Sequence, residues 1–247
     1  VEEGVMNAPK GDAIFGLHAW PGKVGQAHYR SGPFMAAAER MKIVVKGSQT
    51  HGAMPWAGVD PIVVSSQIVM ALQTIVARET NITSVPAVVT IGSIHGGVRN
   101  NIIPEEVIME GTIRTFNDEI RQAIHKSIRN KVEMIAAASD AEATVEIFSG
   151  IAKVTYNEPT LTEQMLPSLR RVYGDENVLV RPFVTGAEDF PFFTDHAPGF
   201  YFFNGVAEDP SKAFPNHSPY FAANEQNLKY GVKALTQLAV DYLVLNK

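Results

Sequence analysis

The feature that most limits how this chain folds is a hydrophobic pattern that switches between period two and period 3.6 from Met41 to Ser149. Met41-Lys42-Ile43-Val44-Val45-Lys46 is a β-branched run suited to a strand. A polar, Gly-rich segment follows, Gly47 to Gly58, carrying His51 and Pro55. Asp60-Pro61 then supplies an N-cap and a first-turn proline, and the apolar positions from Ile62 to Ala77 recur at helical spacing. Ala87 to Ile94 and Val107 to Phe116 read as strands on either side of the turn-rich stretch His95 to Pro104. Asn117 or Asp118 caps a second helix, with Ile120, Ile124, Ile128, Val132 and Ile135 pointing inward. Ala143 to Phe148 closes the unit with a strand.

That order, β-α-β-β-α-β, predicts a ferredoxin-like unit in which two helices cover one face of a four-stranded antiparallel sheet. One sheet face and an edge are left for a partner. The flanks differ in character. Before the unit lie Ala13-Ile14-Phe15-Gly16-Leu17-His18 and a Gly/Pro-rich stretch to Pro33. After it come a helix from about Thr160 to Tyr173, a short strand Val178 to Val180, an aromatic strand Phe200 to Phe203 and a final helix from about Glu225 to Leu245. The flanks read as one α/β domain, residues 1–34 and 151–247, interrupted by an insert over residues 35–150. The expected class is α/β with a ferredoxin-like α+β insert.

Composition removes several functions. The 247 residues include no cysteine, which excludes a disulfide scaffold, a Cys-ligated zinc finger and a thiol nucleophile within this stretch. With 21 Lys plus Arg against 26 Asp plus Glu and no basic cluster, no nucleic-acid partner is expected. No membrane partner is expected either, because the longest apolar stretch, Ile62 to Val76, is interrupted by Ser65, Ser66, Gln67, Gln73 and Thr74.

Among the seven histidines, His18, His51 and His217 lie in surroundings that suit chemistry. His18 closes an apolar run before Ala19-Trp20-Pro21-Gly22, which reads as a strand end, where α/β sites gather. His217 lies in a loop before the last helix. Glycines flank His51 and let backbone approach the imidazole closely. Each of the three also suits an ordinary packing or loop role. Asn100-Asn101-Ile102-Ile103-Pro104 reads equally as a turn. Arg114 stands inside a β-run, and its fork either faces solvent or matches a carboxylate. Glu188-Asp189 precedes a run of aromatics, where perturbed acidity or a helix N-terminus are the alternatives. There is no Walker loop, GxGxxG, GxSxG or HExxH.

Taken together, six segments in order resemble the M20 metallopeptidase and amidohydrolase family, in its branch of aminoacylase-like, hippurate-hydrolase-like and indoleacetyl-amino-acid-hydrolase-like enzymes. They are Phe15-Gly16-Leu17-His18; His51-Gly52-Ala53-Met54-Pro55 with Gly58-Val59-Asp60-Pro61-Ile62; Asn101-Ile102-Ile103-Pro104; Gly111-Thr112-Ile113-Arg114-Thr115-Phe116; Gly186-Ala187-Glu188-Asp189-Phe190; and Asn216-His217-Ser218-Pro219 with Phe221. The resemblance spans essentially the whole chain. It implies a catalytic α/β domain with two divalent metal ions, zinc or manganese, and a lid domain that forms a homodimer. By this resemblance His18 and His217 match imidazole metal ligands. His51 matches a lid histidine that polarises the scissile carbonyl in the neighbouring subunit, and Asn101 and Arg114 match residues around the substrate carboxylate. Glu188 matches a recurrent position to which the resemblance assigns no role.

The sequence departs from the pattern in places. Gly47-Ser48-Gln49-Thr50 stands where the branch carries Gly-Lys-Gly-Gly, and Trp56 stands where it commonly has histidine. The family's Cys- and His-bearing metal motif and its paired glutamates have no counterpart. Glu2-Glu3 is not that pair, since Val1-Glu2-Glu3-Gly4 resembles the end of the helix that follows it. The chain is therefore read as a C-terminal portion of a longer amidohydrolase acting on N-acyl amino acids, inactive alone. The C-terminal Leu245-Asn246-Lys247 carries no retrieval or lipidation signal, and the expected location is the cytoplasm. A non-catalytic ferredoxin-like dimerisation or small-molecule-binding module is the alternative, and it has no need for His18 and His217 to converge.

Overall fold

Two polar caps set the helices that frame the central unit. The Asp60 carboxylate accepts from the amides of Ile62 and Val63, and the Asn117 side chain accepts from Ile120 N, so each satisfies helix-end donors that would otherwise be orphaned. In the computed structural model, which describes residues 1–247 apart from Glu2, Ala8, Pro9 and Ala152, the chain forms two compact units. One comprises residues 1–35, 153–184 and 188–247; the other comprises residues 36–152 and 185–187. Glu2, which figures in the reading of the N-terminus, lies outside the described residues, and Glu3 to Asn7 form turns.

The strands and helices, in chain order, begin with β1 (Ile14–Lys23), β2 (Ala27–Tyr29), β3 (Gly32–Met35), β4 (Ala37–Lys46), β5 (Thr50–His51) and α1 (Pro61–Thr74). They continue with β6 (Ala87–Gly96), β7 (Ile102–Ile103), β8 (Glu106–Thr115), α2 (Asp118–Ala137), β9 (Glu142–Ile151) and β10 (Thr155–Asn157). The last are α3 (Pro159–Tyr173), β11 (Val178–Val180), α4 (Pro191–Thr194), β12 (Gly199–Ala207) and α5 (Gln226–Leu245).

The unit built from residues 36–152 has the sheet order β6-β8-β4-β9, every pairing antiparallel. With α1 and α2 in sequence between the strands, this is the β-α-β-β-α-β arrangement. Alternation in β4 sends Met41, Ile43 and Val45 to the helix side, where they pack on Val64, Ile68 and Leu72 of α1 and Ile124, Ile128 and Val132 of α2. Each such side chain contributes roughly 1.5–3 kcal/mol through burial. The opposite sheet face carries charge in complementary rows, Lys42 standing between Glu110 and Glu146 and Lys46 between Glu106 and Glu142. That open face is polar along these rows and half-exposed to exposed.

A correction concerns the apolar stretch that begins at Ile62. Helical structure continues past Thr74 through a π-helical turn, Ile75–Glu79. The resulting Pro61–Glu79 segment, 19 residues with mean hydropathy 1.3, is long and apolar enough to cross a membrane by length and composition alone. Its packing is that of a core helix on one face, with Ile68 and Leu72 fully buried, while Ile62, Val63 and Met70 are exposed on the other.

In the other unit, a mixed sheet runs β1-β12-β2-β11, with β12 parallel to β1 and antiparallel to β2, and β2 parallel to β11. β12 is buried along its whole length, so its run of four aromatics serves both faces. Phe200 and Phe202 pack with Leu161, Met165 and Leu169 of α3 and Ala234 and Leu238 of α5. Tyr201 and Phe203 point to the other face, toward Phe34, Val184 and Phe190. This second face carries the candidate chemistry.

Candidate functional site

His18 pairs in register with Phe203, so the two side chains share the aromatic face of the sheet. Trp20, two residues on, shares that face, and because it stands opposite Gly205 its ring lies stacked on Phe203, centroids 4.2 Å apart. His18 meets both rings edge-on, at 6.1 and 5.9 Å. The expectation that His18 ends a strand is corrected here. β1 runs on to Lys23, and Pro21 is accommodated because β1 is an edge strand whose register shifts between Trp20 and Lys23.

Gly16 explains why the motif around His18 needs a glycine. A Cβ there would lie 2.7 Å from the Tyr201 ring and 2.8 Å from the Phe190 ring. Only a bare backbone admits both aromatics, and Phe190 in turn anchors Glu188 two residues earlier. Glu188 and Asp189 precede only the four-residue α4, whose first turn carries no acidic residue, so a helix N-terminus does not account for the pair.

The His18 ring has a defined tautomer. Nδ1 lies 2.6 Å from the carbonyl oxygen of Ala19, which only accepts, so Nδ1 carries the proton. Nε2 then faces Glu188 Oε1 at 3.6 Å, the two side chains being 28% and 18% exposed. The Tyr201 phenol has its acidity pushed far down by burial and then by the nearby Glu188 charge.

The loop carrying His217 is tied to the same place. Asn216 Nδ2 donates to the Ala19 carbonyl at 3.0 Å, the oxygen that also receives the His18 proton. His217 itself sits in the left-handed region, φ +68°, where a non-glycine residue costs backbone strain, and its side chain is exposed. A neutral imidazole whose second nitrogen is held by a carbonyl is the arrangement metal-binding histidines adopt. Imidazoles such as those of His18 and His217 are donor types that suit a divalent ion such as zinc or manganese. No tight group of three His, Asp or Glu occurs among the described residues.

His51 and Asn101 lie together in the unit of residues 36–152. β5 pairs with β7, and Gly52 N donates to Asn101 O at 2.8 Å. Gly52 is required for that approach, since a Cβ would stand 3.0 Å from the Asn101 backbone. Gly47 and Gly58 clamp the same loop: a Cβ on either would meet a backbone oxygen, of Val59 at 2.2 Å or Ser48 at 2.3 Å. The amide of Ala53 donates to His51 Nδ1 at 3.0 Å, which leaves the proton of the neutral ring on the exposed Nε2. Arg114 is not brought to this pair. It lies eight residues along β8 from Glu106, about 27 Å at 3.4 Å per residue, at the opposite end of the sheet. Spacing in the sequence gave no sign of Ala19, Asn216 or Tyr201 as supporting residues.

A mixed α/β protein in which a histidine and a carboxylate face each other on an aromatic sheet face is the class that fold and site define. Residues 1–241 match the model of Peptidase family M20/M25/M40, and the chain belongs to that family. Over 246 residues it is 35% identical to thermostable carboxypeptidase 2 of Saccharolobus solfataricus, covering 98% of this chain and 61% of that one. The N-acetyl-L-cysteine deacetylase of Bacillus subtilis is 34% identical over 229 residues, covering 91% and 52%. Among solved structures, a dinuclear metal-binding peptidase of family M20 from Bacillus subtilis superposes with TM-score 0.77 at 31% identity, covering 98% of this chain and 60% of that one. The chain thus spans about 61% of the length of the first of these relatives.

Proposed function

We propose that the protein hydrolyses the amide bond of N-acyl amino acids or related conjugates, with His18 and His217 as metal ligands. The observation that carries this is the Ala19 carbonyl, which fixes the His18 tautomer and also receives Asn216, next to His217. The alternative of a purely structural module has no use for that convergence. A bound divalent ion supplies an activated water and polarises the acyl carbonyl. Zinc or manganese suits these donors.

His51 then stabilises the charge that develops on the carbonyl oxygen, donating from Nε2, the nitrogen its loop leaves protonated. Asn101 and Arg114 hold the substrate carboxylate and its surroundings. Arg114 stands about 27 Å along β8 from Glu106, at the end of the sheet away from the β5–β7 pair that carries His51, whereas an N-acyl amino acid, some two residues long, spans roughly 7 Å. That span supports a homodimer in which His51 and Asn101 act from one copy and Arg114 from the other. The β6 edge, uncharged from Ala87 to Ile94, and the exposed Ile62, Val63 and Met70 of α1 suit the dimer contact, because the other edge, β9, carries Glu142 and Glu146. Sedimentation at micromolar concentration is expected to give a dimer that Met70→Glu dissociates; a monomer in the unsubstituted chain refutes action across subunits.

The 247 residues alone are expected to show negligible turnover, since two imidazoles do not complete a two-metal site. Release of free amino acid from N-acetyl or N-benzoyl substrates, with added Mn²⁺ or Zn²⁺, tests this. Robust hydrolysis by this chain would overturn it.

A further inference from the structure

We propose that the Arg181 guanidinium receives a second carboxylate at the far end of the acyl group, so that the site favours amino acids acylated by dicarboxylic acids; this rests on the N-acyl amino acid reading given above. Three observations carry it. First, Arg181 is a cation without a counter-charge. It is half-buried, yet among the described residues no carboxylate pairs with it and no oxygen accepts from its guanidinium. Burial lowers its pKa, but a guanidinium stays charged regardless. A charge taken partly out of water and left unpaired gains most from a carboxylate, which its fork meets through two parallel hydrogen bonds.

Second, Arg181 stands against the same two rings as His18. Its Cζ lies 4.7 Å from the ring centre of Trp20 and 5.7 Å from that of Phe203, so it flanks the stacked pair that His18 meets edge-on. No more than about 11 Å then separates the guanidinium from the His18 ring, a gap suited to a glutaryl-length acyl chain of roughly 6 Å and one charge-assisted hydrogen bond of about 2.8 Å. The two rings give the methylenes of such a chain an apolar wall between its polar ends.

Third, the surroundings add positive charge and no acid. Arg30 Nη1 donates to the Arg181 carbonyl at 3.5 Å, and its guanidinium lies 3.9 Å from the Phe183 ring centre with Nε buried and unpartnered. His28, in register with Phe203 and so on the same sheet face, also has Nε2 buried without a partner among the described residues. No Asp or Glu pairs with any of the three among the described residues. Two fixed cations with no internal anion favour an anionic ligand.

Calorimetric titration of the 247-residue chain at low salt compares N-glutaryl-L-alanine with N-pentanoyl-L-alanine, whose acyl chains are equally long and differ in the terminal carboxylate. Tryptophan fluorescence is the second readout, because Trp20 adjoins Arg181 while Trp56 is 79% exposed in the other unit. The glutaryl compound is expected to bind about 10-fold or more tightly than the pentanoyl one. Arg181→Met, which keeps an apolar contact with Trp20, is expected to erase the preference, and Arg181→Lys to retain part of it, with circular dichroism unchanged in both. Equal affinities in the unsubstituted chain refute the inference without any variant and leave the N-acyl amino acid reading standing. A preference that survives Arg181→Met also refutes it and makes Arg181 a prop for Trp20. Inorganic phosphate displacing the glutaryl compound more strongly than glutarate does refutes the carboxylate class. If neither N-acyl compound binds, this inference and the reading beneath it fall together.

Discussion

Replacing Gly16 by alanine tests whether the aromatic face is built as described. The new Cβ would fall 2.7 to 2.9 Å from atoms of Tyr201 and Phe190. Neither ring has free space to retreat into, since both are almost wholly buried and tilt against each other with centroids 4.7 Å apart. Overpacking of this kind costs about 1–3 kcal/mol. With a urea dependence of about 2 kcal/mol per molar, the unfolding midpoint of this unit should fall by about 0.5–1.5 M. Tryptophan fluorescence reads the unit selectively. Trp20 lies stacked on Phe203 in it, whereas Trp56, in the other unit, is already 79% exposed before unfolding. Gly92→Ala is the control, because the nearest atom to its Cβ is 3.9 Å away. An unchanged midpoint for Gly16→Ala would show that the Phe190–Tyr201 wall yields freely, and would remove the packing argument for the position of Glu188.

Three further outcomes are expected. His28 has its pKa lowered by burial and then by Arg181, and its Nε2 is buried with no hydrogen-bond partner among the described residues. The unfolded chain therefore binds the extra proton first, so stability present above pH 6.5 is lost as pH falls toward the lower folded value, and His28→Gln should flatten the melting temperature over that range; an unaltered pH profile counts against it. Asp60→Ala removes the acceptor for two amides of α1 and should cost about 1 kcal/mol by chemical denaturation followed by circular dichroism, with Asp60→Asn largely retaining it. Leu72→Ala opens a cavity between α1 and the sheet and should destabilise that unit by about 2–5 kcal/mol, faster amide exchange along α1 being the measurement and unchanged exchange the refutation.

The legible parts of this fold are those long enough to show a period. β4, β8, α2 and α5 each hold two or more full repeats, and their residues fell where alternation and helical spacing put them. β2, β3 and β10, of three or four residues, have no room for a period and give no strand signal in the sequence; pairing across the chain, not local propensity, makes them strands. The site was less legible. Glu188 stands 170 positions from His18 and reaches it only because β1 and β12 are neighbours and Phe190 wedges against Gly16. His51 and Asn101 converge through β5 and β7, of two residues each, while Arg114 looks close in sequence and lies a full strand length away. Glycine was the readable clue at His51, where three bare positions mark three close backbone approaches.

The charged rows on the open face of the β6-β8-β4-β9 sheet have one more consequence. A slip of β4 by two residues would keep Met41, Ile43 and Val45 facing the helices, so the buried face alone does not forbid it. It would, however, move Lys42 from Glu110 to Ile108 or Thr112 on one side, and from Glu146 to Thr144 or Phe148 on the other. Lys46 would likewise lose Glu106 and Glu142. With cross-strand pairs each contributing about 0.2–1 kcal/mol, the four together give the correct alignment an advantage that the apolar side does not supply. The wet face of this sheet thus works as a vernier, telling the strands how far along each other to stop.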